Sequence, residues 1–312
     1  TELRARKPTV FCSRTCTRKT FTVELAKTRA LQNVEDIQEL ILYNEKNNIK
    51  CLRLSSDIFP HFTDDVTESY TIDFARDGLK RSGDLARDLG HRILMHPGQF
   101  NQVGAKDEKV FARTVQDLSH HADILDAMGV GSDGVLIVHG GGTYGDQATT
   151  VLRWIDNFKK LPEKVRKRLV LEHCERSYSL SDVLLISDLL REDGYELPIV
   201  FDSHHFECYE ILHPDADKQD LKELIQRTVA TWGTRRPAMH ISNQGTGRVG
   251  HHSDYISKVP DIFRYVAVDL NVDFDLEVEA KMKEQAIFKM RKDFPSLFLP
   301  LSINDEDSTR RS

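Results

Sequence analysis

The stretch RILMHPGQFNQ, from Arg92 to Gln102, begins as an apolar strand and ends with a histidine, a Pro-Gly turn, an amide and an aromatic ring. Short apolar runs that end in polar residues recur along the whole chain. The others are CLRLSS (51–56), GVLIVHG (134–140), RLVLEHC (168–174), PIVFDSHH (198–205), AMHISNQ (238–244) and a stretch near NVDFDLEVEA (271–280). Apolar runs of about four to eight residues are typical of strands in a buried sheet.

Helical segments separate these strands. Apolar residues recur at helical spacing in residues 33–48, 71–90 and 113–129. The glycines that end such segments, as helix C-caps do, are Gly90, Gly129 and Gly194. Strands that alternate with helices predict a parallel sheet covered by helices. The seven strands therefore predict an α/β fold, a TIM (β/α)8 barrel whose first strand is missing from the N-terminus of this chain. An open doubly wound sheet is the alternative.

The composition is that of a soluble globular protein, with 39% hydrophobic and 29% charged residues among 312. We expect a single domain over residues 1–303 and a disordered polar tail over residues 304–312. The apolar runs are too short to span a membrane, and the N-terminal TELRARK does not resemble a signal peptide. Cys12 and Cys16 form one C-x3-C pair, which is weak evidence for zinc, so we expect reduced thiols in an intracellular protein. A net charge of −6 argues against simple coating of nucleic acid but allows a local basic face.

Nearly every strand ends with a residue that can bind a metal ion, and the carboxyl ends of parallel barrel strands share one face. These residues are Asp57, His61, His96, His139, Glu172, His173, Asp202, His204, His205, His240, His251, His252 and Glu279. One such histidine is ordinarily a core residue, and Glu279 has Lys283 four residues later as a possible ion-pair partner. Together they would be too costly to bury without compensation, which metal ions supply. Imidazole and carboxylate ligands suit Mn, Zn, Fe or Co.

About nine candidate ligands exceed the needs of one ion, so we expect two or three. A cluster of this kind suits hydrolysis of a phosphate ester. Metal-dependent sugar isomerases use related sites on the same fold, so the ligands alone leave both chemistries open.

An ordered set of motifs resembles the UV damage endonuclease family, with endonuclease IV barrels as more distant kin. The motifs extend from about residue 10 to residue 290, and they are FCSRT (11–15), RLSSDIFPH (53–61), MHPGQFNQV (95–103), VHGGGTYGD (138–146), LVLEHCERSYS (169–179), VFDSHH (200–205), RRPAMHIS (235–242), HHSDYI (251–256) and EVEAKMKEQA (277–286). The resemblance implies a DNA repair endonuclease that nicks the backbone immediately 5′ of pyrimidine dimers, 6-4 products and other distorting lesions. It implies two or three divalent ions, Mn²⁺ first, with Mg²⁺, Co²⁺ or Zn²⁺ as alternatives.

The resemblance also assigns roles to residues. The implied metal ligands are His61, His96, His139, Glu172, Asp202, His205, His240, His252 and Glu279. Gln99 and Phe100 would probe the duplex at the lesion, unless Phe100 packs under its own loop. Contacts to the DNA backbone are expected near the active face from Arg14, Arg18, Lys19, Tyr144, Arg235, Arg236 and Arg248, each of which alone resembles an ordinary surface residue. Supporting neighbours of the ligands would be Asp57, His204, His251 and Lys281.

Some residues depart from the family pattern. Lysine is usual at the places of Ala238 and Gln147, and Asn-Asp at the places of His173 and Cys174. The departures leave open a catalytically weakened homologue that only binds lesions, and a xylose-isomerase-like sugar isomerase or epimerase is the other alternative. The resemblance implies damaged double-stranded DNA as the partner of a monomer. In a eukaryote we expect it in the nucleus, with the mitochondrion as a second site.

Overall fold

Seven parallel strands form a nearly closed barrel in the computed structural model, which describes residues 1–218 and 220–298. Each strand pairs with the next in chain order. The strands are β1 (Cys51–Leu54), β2 (Arg92–Met95), β3 (Leu136–His139), β4 (Leu169–Glu172), β5 (Ile199–Asp202), β6 (Ala238–Ile241) and β7 (Asp275–Val278). All seven predicted strands are confirmed. The doubly wound alternative is wrong, because the strand order of such a sheet reverses at a switch point and this one does not.

Helices surround the strands. The described helices are α1 (Glu2–Ala5), α2 (Val23–Lys46), α3 (Arg76–Asp88), α4 (Glu108–Met128), α5 (Gln147–Lys160), α6 (Glu163–Arg166), α7 (Leu180–Glu192), α8 (Ser203–Leu212), α9 (Leu221–Ala230), α10 (Ile262–Arg264) and α11 (Glu284–Asp293). Helix α4 begins five residues before the predicted segment because the Asp107 side chain accepts hydrogen bonds from the amides of Lys109 and Val110. It ends at Gly129, whose φ of 70° suits a glycine C-cap.

Two layers of side chains fill the barrel interior. The lower layer is apolar, and its strand residues are Leu94, Ile137, Val170, Val200 and Ala238. Side chains two positions apart on a strand share a face, so the next inward residue on each strand lies one layer closer to the carboxyl ends. Those residues are His96, His139, Glu172, Asp202 and His240. The fold therefore places an apolar floor beneath a polar barrel mouth.

Strands β1 and β7 are the two ends of the sheet. A cleft of about 1690 Å³ lies along both strands and opens into the barrel mouth. Within residues 1–218 and 220–298, no eighth strand lies between them. The strands and helices of the described chain thus confirm the TIM-barrel class with seven of its strands.

Two predictions concern the ends of the chain and its relation to membranes. The predicted domain limit at residue 303 and the predicted tail, residues 304–312, lie outside the described residues. In the described part of the chain, each helix is too short or too polar to cross a membrane.

Candidate metal centre

Glu172 lies at the centre of the barrel mouth. It ends β4 and is fully buried, and its strand register places it beside His139. Its Oε2 lies 3.0 Å from Nε2 of His96 and 3.6 Å from Nε2 of His139. Its Oε1 lies 3.0 Å from Nδ1 of His240 and 3.3 Å from Nδ1 of His205. One carboxylate thus contacts four imidazoles, three from strand ends and the fourth, His205, from the first turn of α8.

Asp202 uses its two carboxylate oxygens differently. It is the N-cap of α8, and its Oδ1 accepts hydrogen bonds from the amides of His204 at 2.6 Å and His205 at 2.8 Å. These bonds satisfy donors that would otherwise be unpaired at the start of a helix. Its Oδ2 is buried and has no hydrogen-bond partner among the described residues. One oxygen therefore fixes the helix start, and the other is left for a ligand in the mouth.

His240 connects this cluster to β7. Its Nδ1 lies 3.8 Å from Oδ2 of Asp202 and 3.7 Å from Oε1 of Glu279. Its other nitrogen, Nε2, faces Glu277 at 3.3 Å. The ring therefore points Nδ1 toward the shared cluster and Nε2 away from it.

The mouth contains three linked groups of candidate ligands. Within each group, one ligand atom per residue lies within 4.8 Å of the others. The groups are His96, His139 and Glu172; Glu172, Asp202 and His205; and Asp202, His240 and Glu279. Glu172 belongs to the first two groups and Asp202 to the last two. The donor set fits divalent ions that accept imidazole and carboxylate, and the buried Oδ2 of Asp202, which has no hydrogen-bond partner among the described residues, is available as a further ligand atom.

The charges in the cluster are strongly coupled. Burial would raise the pKa of Glu172, but His240 and His139 hold it well below its usual value. Burial lowers the pKa of His205, yet Asp202 and Glu172 outweigh it and raise that pKa to about 11. Burial likewise opposes the effect of the glutamates on His240, whose pKa is nevertheless well above its usual value. A cation bound here would displace protons from these histidines, so its affinity increases with pH.

Two of the nine predicted ligands lie outside the three groups. His61 has a φ of 55°, and its Nε2 lies 2.7 Å from the carbonyl oxygen of Cys16. Its Nδ1 lies 3.2 Å from Asp64, so protein atoms contact both ring nitrogens. His252 lies closer to the groups, with Nε2 3.8 Å from Oε2 of Glu279. The structure therefore brings together seven of the nine, with His252 at their margin.

The predicted supporting residues are placed unevenly. His204 is buried, and its ring centre lies 5.5 Å from that of His252. Nε2 of His251 accepts a hydrogen bond from Nε of Arg248 at 3.2 Å. The side chains of the other two, Asp57 and Lys281, are exposed.

The loop after β2 carries the predicted lesion probe. Gln99 and Phe100 are exposed at the mouth, and 65% of the Phe100 surface is accessible. The Phe100 ring lies against the backbone of Gly98, where an added Cβ would be 2.6 Å from the ring. Phe100 therefore does not pack under its loop; it lies on the outer side, next to the cleft that Gln99 helps to line.

Gln102 connects this loop to the loop after β3. Its Nε2 donates to the carbonyl oxygen of Gln99 at 2.8 Å. Its Oε1 accepts hydrogen bonds from the amide of Gly142 at 2.9 Å and the hydroxyl of Tyr144 at 3.3 Å. The sequence drew attention to Gln99 and Tyr144 but not to the side chain that joins them.

The predicted DNA contacts divide into two sets. Tyr144 and Arg248 lie at the mouth, and Arg248 lines the cleft. Arg18 forms two hydrogen bonds with Asp64, the shorter of 2.6 Å, while Lys19 beside it is exposed. The other set does not face the mouth, and its members are Arg14, Arg235 and Arg236.

Arg14 is bound within the protein rather than presented to DNA. Its guanidinium forms an ion pair with Asp36 and also donates to the carbonyl oxygen of Thr9. Arg235 and Arg236 precede β6, so they lie at the amino end of the barrel, opposite the mouth. Arg236 pairs there with Asp275 at 3.0 Å. The expectation that these two arginines cluster near the active face is thus not met.

Sequence reasoning missed two charged residues at the site. Glu277 is buried beside His240, and Arg53 forms an ion pair with Glu279. Burial would raise the pKa of Glu279, but His240 and Arg53 lower it to about 2. The signal for Glu277 was its spacing of two residues from Glu279 in DLEVEA, which places both side chains on one face of a strand.

The residues that depart from the family pattern have definite places. Ala238 is fully buried in the apolar floor, and Nε2 of Gln147 donates to the carbonyl oxygen of Ser177 at 3.0 Å. Burial lowers the pKa of His173 to about 3, and its Nε2 accepts a hydrogen bond from the Asp202 amide at 3.1 Å. His173 therefore holds the backbone of a candidate ligand.

Comparison with known proteins gives a consistent result. A family model described as "UV-endonuclease UvdE" matches residues 1–300. A relative from Acanthamoeba polyphaga mimivirus is 37% identical over 277 residues, which cover 86% of this chain and 80% of that protein. The UV-damage endonuclease of Schizosaccharomyces pombe is 34% identical over 309 residues, 93% of this chain and 48% of that protein. This chain therefore spans about half the length of the S. pombe relative.

Solved structures agree with the sequence comparisons. The crystal structure of SacUVDE matches with a TM-score of 0.77 and 26% identity, covering 92% of this chain and 94% of that one. The endonuclease IV of Thermus thermophilus matches with a TM-score of 0.56 and 14% identity over 84% of this chain and 94% of that one. At that identity, the endonuclease IV match shows the shared barrel fold alone.

Proposed function

The chain belongs to the UV-endonuclease UvdE family, and from this premise we propose that it nicks the DNA backbone immediately 5′ of pyrimidine dimers, 6-4 products and other distorting lesions. Family membership supports DNA repair endonuclease activity. The observation that carries the finer proposal is the position of Gln99 in the same cleft as the candidate ligands, with Phe100 exposed beside it.

We propose two or three divalent ions, with Mn²⁺ the first candidate and Mg²⁺, Co²⁺ or Zn²⁺ the alternatives. Such ions activate water and neutralise the charge that develops on a phosphate ester during hydrolysis. The three ligand groups would hold them, with Glu172 and Asp202 as the shared carboxylates. Mn²⁺ comes first because the family resemblance implies it; the nitrogen and oxygen donors by themselves also suit Co²⁺ and Zn²⁺.

The protein's own residues set the geometry for this chemistry. The α8 amides hold the Asp202 side chain through Oδ1, and the His173 ring holds the Asp202 backbone amide. The other oxygen of Asp202, Oδ2, is therefore fixed in the barrel mouth before any substrate arrives. The apolar floor that includes Val170 and Val200 separates the ligands from the opposite end of the barrel. A rigid arrangement of this kind lowers the reorganisation that the reaction requires.

Lesion selection would occur at the loop after β2. Phe100 presents an exposed ring that stacks where damaged bases have lost their neighbours, and Gln99 fills the gap or bonds a base edge. A lesion that weakens stacking and pairing lowers the cost of opening the duplex. Selectivity then follows from distortion rather than from base sequence.

The proposed partner is damaged double-stranded DNA, bound by a monomer inside the cell, and in a eukaryote in the nucleus or also the mitochondrion. Arg18, Lys19, Tyr144 and Arg248 remain the proposed contacts to the DNA backbone. Such contacts make binding depend on salt concentration.

The test is a nicking assay on an end-labelled duplex that contains one pyrimidine dimer, with an undamaged duplex of the same sequence as control. With Mn²⁺ we expect a single product cut immediately 5′ of the dimer and no product when a chelator is present. Tight binding without a nick would instead identify a lesion-binding homologue, as Ala238 and Gln147 allow. If the protein neither binds nor cuts the damaged duplex, the sugar isomerase alternative is left, and an assay of sugar interconversion tests it.

A further inference from the structure

Glu277 is a buried carboxylate for which the proposed reaction has no role. It lies on β7, and its register partner on β6 is His240. Only 8% of the residue is accessible, and neither carboxylate oxygen has a hydrogen-bond partner among the described residues. A buried carboxylate without strong partners costs stability, so its presence calls for another explanation.

The orientation of the His240 ring supplies that explanation. Nδ1 forms a hydrogen bond with Oε1 of Glu172 at 3.0 Å and lies 3.8 Å from Asp202 and 3.7 Å from Glu279, so a cation bound there would take the place of the proton on Nδ1. Nε2 lies 3.3 Å from Oε1 of Glu277, within hydrogen-bonding distance although the present angle makes no bond. A neutral imidazole carries one proton, and only the nitrogen without it can bind a cation.

We propose that Glu277 is a positioning residue for His240: it accepts the Nε2–H and thereby leaves the Nδ1 lone pair directed at the group that contains Asp202 and Glu279. Carboxylates that hold the far nitrogen of a metal-binding histidine fix its tautomer and its ring orientation. This inference rests on the proposed function in that the three groups bind divalent ions.

Arg53 is the competing explanation for Glu277. Its Nη1 lies 4.0 Å from Oε2 of Glu277, whereas its main contact is a close ion pair with Oε1 of Glu279. The two oxygens of Glu277 thus face different groups, with Oε1 nearer to His240 than Oε2 is to Arg53. An ion pair with Arg53 alone would leave the placement of Oε1 unexplained.

The test compares ion binding by the wild type, Glu277→Gln and Glu277→Leu. The glutamine variant keeps the size and one acceptor oxygen, and the leucine variant removes the acceptor. Mn²⁺ stoichiometry and affinity are measured by calorimetry and by metal analysis after gel filtration, without DNA. For one ion we expect the affinity of Glu277→Leu to fall about 10- to 100-fold, with a smaller fall in Glu277→Gln.

The matched control is Asp275→Asn, which removes a carboxylate from the same strand. Asp275 pairs with Arg92 at 2.9 Å, at the amino end of the barrel, so ion binding should be unchanged in this variant. Nitrogen NMR of the His240 ring in the Zn²⁺-loaded protein provides a second readout, because the wild type should bind the ion through Nδ1 with Nε2 protonated, and Glu277→Leu should show a mixture of rings with bound and free Nδ1. A merely structural role would change stability but not this ratio.

Unchanged ion affinity and an unchanged tautomer in a folded Glu277→Leu variant would overturn the inference. If the leucine variant does not fold, the same readouts in Glu277→Gln decide. Because no DNA is present, failure here is distinct from failure of the nicking assay. A wild type that binds no divalent ion would overturn both the metal centre and the role of Glu277.

Discussion

His120 illustrates how one buried side chain can contribute to the pH response of the whole protein. It is buried in α4, and its ring stacks on Phe62 with 3.7 Å between ring centres. Neither ring nitrogen has a hydrogen-bond partner among the described residues. Burial, with smaller effects from His121 and Lys164, holds the pKa of His120 well below its usual value. The folded protein therefore excludes a proton that the unfolded chain accepts near pH 6.5.

We expect His120→Phe to reduce the loss of stability in acid. Between pH 6.5 and the lower pKa of the folded state, the unfolded chain binds one more proton, so the free energy of unfolding falls as the pH falls. This one group contributes about 1.4 kcal/mol per pH unit in that range. Urea denaturation at pH 7.5 and pH 5.5, with a chelator in both samples, measures the effect. Equal acid sensitivity in the two proteins would show that His120 does not contribute to it.

The residue types of the site could be predicted, but their depth in the barrel could not. Period-two alternation places Glu277 and Glu279 on the same face of β7. Which of them joins the group of Asp202 and His240 depends on how far β7 is shifted along its axis relative to β6. The expectation that Arg235 and Arg236 lie near the active face failed for a related reason. They are close to His240 in sequence, but β6 has four residues and is roughly 13 Å long, so they lie at the opposite end of the strand from the mouth.

At the scale of single elements, the loop after β2 is held at several points. The side-chain amide of Asn101 donates to the carbonyl oxygen of Gly98 at 3.0 Å and to Asp117 of α4 at 2.8 Å. The amide of Gln102 donates to Thr114 of the same helix at 2.9 Å. The two contacts with α4, through Asp117 and Thr114, fix the base of the loop and leave Phe100 exposed at its tip. The sequence placed this loop at a strand end, but contacts from distant residues determine its shape.

We expect Gln102→Ala to weaken selection of damaged DNA more than the cutting step. The variant loses the bonds to Gln99 and Gly142 that join two loops, while the ligand groups remain intact. Kinetics on dimer-containing and undamaged duplexes should show KM for damaged DNA rising about 5- to 50-fold, with kcat within about twofold. The control is Gln116→Ala, which removes an exposed amide from α4. A matching fall in kcat with unchanged KM would contradict a positioning role.

At the scale of the whole molecule, the candidate metal ligands lie together at one end of the barrel. Seven side chains from six strand ends and from α8 form the three ligand groups. The strand order β1 to β7 could be predicted from the spacing of apolar runs, because parallel strands joined by helices follow one another around a barrel. The groups themselves required the structure, since their members are as far apart as His96 and Glu279 in the chain.

Divalent ions should therefore stabilise the fold. The ligands meet only in the folded protein, so binding adds about 2.7 kcal/mol to the free energy of unfolding when the ion is at about 100 times its dissociation constant. Urea denaturation with Mn²⁺ and with a chelator measures this difference. His205→Ala should lose much of the increase, whereas His213→Ala, which removes an imidazole outside the three groups, should keep it. If Mn²⁺ raises the free energy of unfolding of His205→Ala as much as that of the wild type, His205 is not a ligand.

The contact between Phe100 and Gly98 has a consequence for how the proposed enzyme would tell damaged from intact DNA. The ring already has a resting surface on bare backbone, which exists only because position 98 has no side chain. To enter DNA, the Phe100 ring must give up its contact with the Gly98 backbone and stack on a base instead. In an intact duplex the faces of the bases are already covered by their neighbours. Discrimination then operates as a threshold: the resting contact sets how much disorder in the helix is needed before insertion is favourable. A lesion need not be recognised by its chemistry, only by exceeding that limit.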